Sequence, residues 1–174
     1  YYYATLGDYG AAPKISVGRI PAPTLAEADA VVDKIIAYET AKNSATWERN
    51  VLFVADDDDG DFQNKSLDMA LEFPVDYSVR KNFVSEFAVK SDAAARLVEQ
   101  IDSGALIVNY MGHAAALYWG AEKLLAPTAV EALDNADRPT FVVSMTCFAG
   151  YFASDDPAVQ SLSERILLKP QGGA

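Results

Sequence analysis

The run Val51-Leu52-Phe53-Val54-Ala55 is continuously apolar and leads directly into Asp56-Asp57-Asp58-Asp59-Gly60-Asp61. Such a run is typical of a strand that is buried on both faces, as the strands of a parallel sheet are. Residues 105–110 and 140–145 are two further predicted core strands. Polar residues follow each of the three strands, so the sequence predicts a polar edge at the carboxyl ends of a sheet.

Helical patterns lie between the predicted strands. Thr24 and Glu27 have the spacing of a capping box, in which a hydroxyl and a carboxylate satisfy the free amides at a helix start. Thr128 and Glu131 have the same spacing, and Ser91 is the predicted cap of another helix. The remaining predicted elements are a strand over residues 15–20, a helix over residues 63–72, a strand over residues 77–87 and a helix over residues 157–168. Strands that alternate with helices favour an α/β fold, with a mostly parallel sheet between layers of helices.

The composition argues against several classes of function. The 174 residues carry a formal net charge of −11, and the sequence pI is about 4.4. Such a chain repels nucleic acids and anionic membranes, so we predict neither as a partner. No apolar run approaches the roughly 18 residues that cross a bilayer, so no membrane span is predicted. The single cysteine allows neither an internal disulfide nor a zinc cluster.

The only histidine and the only cysteine of the chain follow two of the predicted strands. His113 comes shortly after the strand over residues 105–110, and Cys147 shortly after the strand over residues 140–145. Because ligands bind outside the carboxyl ends of parallel strands, we expect both residues at one edge of the sheet. A thiol becomes a nucleophile at neutral pH when a base such as imidazole takes its proton. The residues alone leave a structural cysteine and a surface histidine open as the alternative.

Longer segments resemble a known family. Residues 106–113, Leu-Ile-Val-Asn-Tyr-Met-Gly-His, with Trp119 six residues later, resemble the histidine loop of the gingipain-type cysteine peptidases. Residues 139–150, Pro-Thr-Phe-Val-Val-Ser-Met-Thr-Cys-Phe-Ala-Gly, resemble the nucleophile strand of that family. Upstream segments resemble it in the expected order, namely residues 18–21, 31–39 and 51–62.

The resemblance implies a three-layer α/β/α fold of the caspase-like kind and a cysteine endopeptidase that works through an acyl-thioester. It places the nucleophile at Cys147 and the general base at His113. The acid that supports the base falls on Asp58, with Asp57 as the next best position. The backbone amides of Cys147 and Ala114 would hold the oxyanion.

The resemblance also implies how substrates are recognised. Asp61 is the closest match to the acid that contacts a basic side chain in family members that cut after Arg or Lys. Trp119 is a second predicted substrate contact. The substrates would be proteins or peptides, and the protein would be secreted by a bacterium or displayed on its surface. Residues 1–174 would be one α/β domain, a fragment of a larger peptidase domain with flanking domains in the parent chain.

Two alternatives depend on particular residues. The family has Gly after the His, whereas Ala114 does not freely adopt positive φ, and a displaced oxyanion donor costs roughly 10²–10³ in rate. A catalytically silent module that binds peptides or a partner protein is therefore the competing prediction. The chemistry requires no cofactor. However, Asp56, Asp58 and Asp61 are candidate ligands of a structural calcium ion, and a plain solvated turn is the other interpretation of the same run.

Overall fold

One parallel sheet organises the fold. The structure is a computed structural model, and it describes residues 5, 10, 12–41, 46–154, 156 and 159–174. The strands are β1 (Asn50–Ala55), β2 (Ser78–Phe83), β3 (Ile107–Met111) and β4 (Phe141–Met145). They lie in the order β2-β1-β3-β4, and every neighbouring pair is parallel. The predicted α/β class and the parallel sheet are confirmed.

Helices cover both faces of the sheet. In the described part of the chain they are α1 (Leu25–Thr40), α2 (Gly60–Leu71), α3 (Lys90–Asp102), α4 (Pro127–Ala132) and α5 (Leu162–Leu168). Leu52 and Val54 of β1 share a core with α3, α4 and α5, whereas Val51 and Phe53 pack against α2. Alternate residues of this strand therefore face opposite helical layers, which explains its continuous apolar run. None of these helices is long and apolar enough to cross a membrane.

Capping boxes begin two of the helices. Thr24 and Glu27 form the predicted box at α1, where the Thr24 hydroxyl accepts from the Glu27 N–H at 3.2 Å. Ser161 and Glu164 form a second box at α5. The sequence prediction places the start of this last helix at residue 157, but residues 157–158 lie outside the described residues and α5 begins only after Ser161.

Three local predictions are wrong. Thr128 caps no helix, because α4 already begins at Pro127 with Ala126 as its N-cap, two residues earlier than predicted. Ser91 is not a cap either, since α3 begins at Lys90. Residues 15–20 form no strand, and their apolar side chains are about half exposed. A strand needs a hydrogen-bonded partner, and this segment pairs with none of the described strands.

Lys34 ties α1 to the chain beyond α5. Its Nζ donates to the carbonyls of Leu167 and Ala174, at 2.7 Å in each case, and to Gly172 at 3.4 Å. Cations are favoured at the C-terminal end of a helix, where carbonyls lack intrahelical donors. Burial, followed by the charge of Lys169, lowers the pKa of Lys34 to about 8. The contact fixes the packing of α1 on α5.

Candidate active site

The register of the sheet brings the two candidate catalytic residues to one edge. Met111 of β3 pairs with Ala55 of β1 on one side and with Met145 of β4 on the other. His113 and Cys147 each come two residues after these paired positions. Neighbouring strands lie roughly 4.8 Å apart, so the two loops start side by side. No hydrogen bond joins the Cys147 thiol to the His113 ring among the described residues.

The main chain of His113 is held from both sides, while its side chain is exposed. The His113 N–H donates to Oδ2 of Asp56 at 3.2 Å. The His113 carbonyl accepts from the Tyr110 hydroxyl at 2.5 Å and from the Gly120 N–H at 2.8 Å. The ring of Phe62, in the first turn of α2, meets the imidazole edge-on, with 5.2 Å between ring centroids. The imidazole therefore projects from a fixed peptide and rests on one side against an aromatic ring.

Cys147 lies exposed at the start of a tight turn. The Cys147 carbonyl accepts from the Ala149 N–H at 2.7 Å. The next residue, Phe148, has a φ of 56°, in the left-handed region that residues with a side chain rarely adopt. Such a conformation costs of order 1–2 kcal/mol and persists where the surrounding structure imposes it. The turn directs the chain sharply away from β4 immediately after the thiol.

The two amides that the resemblance assigns to the oxyanion have no acceptor among the described residues. Neither the Ala114 N–H nor the Cys147 N–H donates a hydrogen bond within the described structure. Ala114 pairs with Trp119 in an isolated antiparallel bridge, and the bridge bonds come from the neighbouring amides of Ala115 and Gly120. Ala114 is not among the residues with positive φ, and its methyl group packs on the core. The alanine therefore fits here without the backbone strain expected from the sequence.

The first three aspartates of the acidic run lie in different environments. Asp56 is 2% exposed and contacts His113 as described. Asp57 is half-buried and forms an ion pair with Lys90. Asp58, the predicted support of the imidazole, is exposed and has no hydrogen bond or ion pair with the described residues. The acidic loop thus reaches His113, and it does so through Asp56.

The last two aspartates belong to the start of α2. Asp59 is the N-cap, and its carboxylate accepts from the Asp61 N–H at 3.0 Å. Asp61, the predicted reader of a basic substrate side chain, is exposed and lies 3.6 Å from Nζ of Lys65 one helical turn later. Phe62, next to Asp61, touches His113. Asp61 therefore lies near the candidate site, on a helix turn that faces solvent.

Trp119 has no surface from which to contact a substrate. Its side chain is fully buried and stacks on Tyr110, with 4.4 Å between ring centroids and 6° between planes. The predicted substrate contact is corrected accordingly: the ring belongs to the core beneath the histidine loop. An aromatic residue at this distance from His113 fits either place, because spacing along a loop does not reveal which way a side chain points.

The structure gathers a different acidic set from the one predicted for calcium. Oxygens of Asp56, Asp57 and Glu122 lie within 4.8 Å of one another, and Asp58 and Asp61 are not part of the group. Calcium takes six to eight oxygen ligands. Here the Asp56 oxygens already accept hydrogen bonds, and Asp57 is paired with Lys90. Structural calcium therefore stays a prediction.

Three residues of the site were not recognisable as such from the sequence. Asp56 is predicted there only as a calcium ligand, and Tyr110 and Gly112 only as parts of the resemblance. A Cβ at Gly112 would overlap the Asp56 side chain and lie 2.5 Å from the Tyr110 hydroxyl. The sequence feature that could have indicated them is their position. Asp56 is the first residue after β1, and Gly112 is the first residue after the paired strand β3.

Comparisons with known proteins point to one peptidase family. Residues 1–174 match the family model of peptidase family C25. A search among curated proteins finds no match. The chain is similar to the crystal structure of the Arg-specific cysteine proteinase gingipain R (RgpB), with 17% identity and a TM-score of 0.77, over 99% of this chain and 41% of that one. The complex of the RgpB pro- and mature domains from Porphyromonas gingivalis gives the same identity and TM-score, over 99% of this chain and 42% of that one.

The similarity to solved structures shows the fold, and the match to the family model shows the family. At 17% identity the two solved structures show that the fold is the caspase-like α/β/α arrangement implied by the sequence resemblance. The chain spans about two-fifths of the length of those structures. The family match extends over the whole chain, including both the histidine loop and the nucleophile strand. The chain therefore belongs to peptidase family C25, the family of the gingipain-type cysteine peptidases.

Proposed function

We propose that the chain carries the catalytic centre of a cysteine endopeptidase, with Cys147 as nucleophile and His113 as general base. The observation that supports this most strongly is their equivalent position, two residues beyond the paired ends of the neighbouring strands β4 and β3. Both side chains are exposed. A thiol and an imidazole that follow adjacent parallel strands share the edge at which α/β sheets bind ligands.

The chemistry requires one proton to move twice. His113 takes the proton of the Cys147 thiol, and the thiolate adds to the carbonyl carbon of the scissile peptide bond. The tetrahedral oxyanion accepts hydrogen bonds from the free amides of Ala114 and Cys147. The C–N bond then breaks, the imidazolium gives its proton to the leaving amine, and an acyl-thioester remains on Cys147. Water, deprotonated by His113, hydrolyses this thioester and regenerates the thiol.

Alkylation of Cys147 tests the proposal directly. Thiol modification with iodoacetamide, followed by peptide mapping, measures the reactivity of Cys147 alone as a function of pH. We expect rapid reaction at pH 6, because an imidazole that takes the thiol proton supplies the nucleophilic thiolate. Replacing His113→Gln is expected to lower the rate at pH 6 by about tenfold or more.

A charge change away from Cys147 and His113 provides the control for this experiment. Asp68→Asn changes one charge on the exposed side of α2, the helix that carries Phe62, and should leave the profile unchanged. If Cys147 of the wild type is labelled slowly, at a rate that does not depend on His113, the proposal of a peptidase centre is contradicted. That result favours the alternative, a catalytically silent module that binds peptide or protein partners. The observation that supports this alternative is the absence of a thiol–imidazole hydrogen bond among the described residues.

A preference for substrates with Arg or Lys before the cut bond is the finer proposal. Asp61 supports it by its position next to Phe62, which touches the imidazole, and by its exposed carboxylate. A substrate guanidinium that displaces Lys65 would pair with this carboxylate bidentately. Because the carboxylate is exposed, Asp61→Asn is then expected to lower kcat/KM for Arg substrates by only about 1 kcal/mol in transition-state binding, and to leave apolar substrates unaffected.

A peptide library with every residue at that position measures this preference. Asp68→Asn is again the matched control, since it removes the same charge about two turns further along α2. A profile that prefers small or apolar residues, and is the same in Asp61→Asn, rules out the assignment of Asp61. That outcome leaves the roles of Cys147 and His113 untouched. Protein or peptide substrates, and a location outside a bacterial cell, are proposed on the family resemblance.

A further inference from the structure

The geometry points to Asp56 as a positioning residue that fixes the direction of His113 by holding its main chain, with Tyr110 as the second half of the clamp. The inference rests on the proposed function, because it gives His113 the part of general base. It differs from the sequence prediction, in which Asp58 supports the imidazole ring. Asp56 does not touch the reacting atoms. It acts through the peptide from which the imidazole projects.

The Asp56 carboxylate uses both oxygens. Oδ1 accepts from the Asp57 N–H at 2.9 Å, and Oδ2 accepts from the His113 N–H at 3.2 Å. The residue is 2% exposed, so water does not replace these bonds. A buried carboxylate without donors costs several kcal/mol, and its hydrogen bonds therefore fix its orientation strongly. Asp56 thereby joins the end of β1 to the loop that follows β3.

Tyr110 closes the clamp on the other side of the same residue. Its hydroxyl lies 2.5 Å from the His113 carbonyl oxygen and 3.4 Å from Oδ2 of Asp56. The single hydroxyl proton goes to the shorter contact, so Tyr110 donates to His113. Burial, and next the charge of Asp56, raise the pKa of Tyr110 far above its ordinary value, which keeps the hydroxyl protonated as a donor. Trp119 stacks on the phenol ring and holds it in place.

An exposed aspartate cannot provide the same restraint. Asp58 is exposed and has no partner among the described residues, so no contact there fixes the orientation of its side chain. The clamp holds the His113 N–H through Asp56 and the His113 carbonyl through Tyr110, so that the side-chain torsions of His113 remain free. Phe62 restricts these from one side. Correct placement of a base within a few tenths of an ångström is what general-base catalysis requires.

Asp56→Asn is the informative variant, because the amide keeps the size of the carboxylate. It has one acceptor oxygen, so an NH₂ group must face either the Asp57 N–H or the His113 N–H, and one contact becomes donor against donor. We expect the alkylation rate of Cys147 at pH 6 to fall by about tenfold or more, and the pH profile to move toward that of an isolated thiol. Asp58→Asn and Asp68→Asn should each stay within about twofold of the wild type.

A second variant protects the test against loss of folding. Tyr110→Phe removes one hydroxyl from the clamp and leaves the Gly120 N–H as donor to the His113 carbonyl. It should move the pH profile in the same direction as Asp56→Asn, by a smaller amount. Circular dichroism at the assay temperature shows which variants are folded, and a shifted pH profile in a folded variant is not produced by a general loss of stability.

The outcomes separate this inference from the proposed function. If His113→Gln changes the wild-type profile while Asp56→Asn and Tyr110→Phe do not, the clamp is refuted and the peptidase centre stands. A large effect of Asp58→Asn with none in Asp56→Asn also refutes it, in favour of the exposed aspartate. If His113→Gln itself has no effect, the proposed function fails first. If Asp56→Asn does not fold, the profile of Tyr110→Phe decides.

Discussion

Replacing Cys147 by Ala is expected to abolish peptide-bond hydrolysis, with kcat lower by about 10⁴-fold or more. The alanine cannot form the acyl-thioester, so only the oxyanion amides and substrate binding remain to accelerate attack by water. The side chain is exposed and makes no hydrogen bond in the described structure, so the loss should not be one of stability. A fluorogenic peptide assay measures kcat. A thermal unfolding midpoint equal to that of the wild type shows that the fold is kept.

The double variant provides the control for this result. His113→Gln should lower kcat by a comparable factor, and Cys147→Ala with His113→Gln together should be no slower than either alone, because nucleophile and base act as one unit. Effects that multiply would show that the two residues work independently. Hydrolysis that survives in Cys147→Ala would place the nucleophile elsewhere in the protein and contradict the proposal.

The parallel sheet could be predicted because β1 has an unambiguous pattern. Five apolar residues in sequence fit a strand between two helical layers, and Leu52 and Phe53 indeed face opposite cores. Residues 15–20 have alternating apolar residues at their start and form no strand, since pairing depends on a partner that local sequence does not specify. The same motif, Pro-Thr-X-X-Glu, forms a capping box at Thr24 and none at Thr128, so the local pattern alone does not decide whether a cap forms.

The candidate site could be predicted only to the level of its strands. His113 and Cys147 follow from strand order, because the carboxyl ends of parallel strands share one edge. The contact of Asp56 with the His113 N–H depends on the register between Ala55 and Met111, which no local pattern encodes. The burial of Trp119 depends on a loop folding back over Tyr110. Sequence reasoning thus places the proposed nucleophile and the proposed base at one edge, and only the packed structure shows which residues contact them.

Gly112→Ala should be the most damaging conservative change in the histidine loop. The added methyl group would overlap the side chain of Asp56 and press on the hydroxyl of Tyr110. Neither neighbour can yield easily, because Asp56 is buried and Tyr110 is stacked on Trp119. Overpacking costs about 1–3 kcal/mol, and a buried hydrogen-bonding group left unpaired adds about 1–3 kcal/mol. We expect the free energy of unfolding to fall by about 3 kcal/mol, together with loss of the His113-dependent reactivity of Cys147.

Gly60→Ala is the matched control for that change. An added Cβ there meets no atom within 4 Å, and Gly60 lies at the first position of α2. Alanine favours a helix over glycine by up to about 1 kcal/mol, so this variant should be as stable as the wild type or slightly more so. Urea unfolding curves of the three proteins give the comparison. Equal midpoints for Gly112→Ala and the wild type would mean that the His113 peptide does not approach Asp56 and Tyr110 as closely as the clamp requires. Such a result would remove the physical basis for assigning His113 a fixed direction at the edge of the sheet.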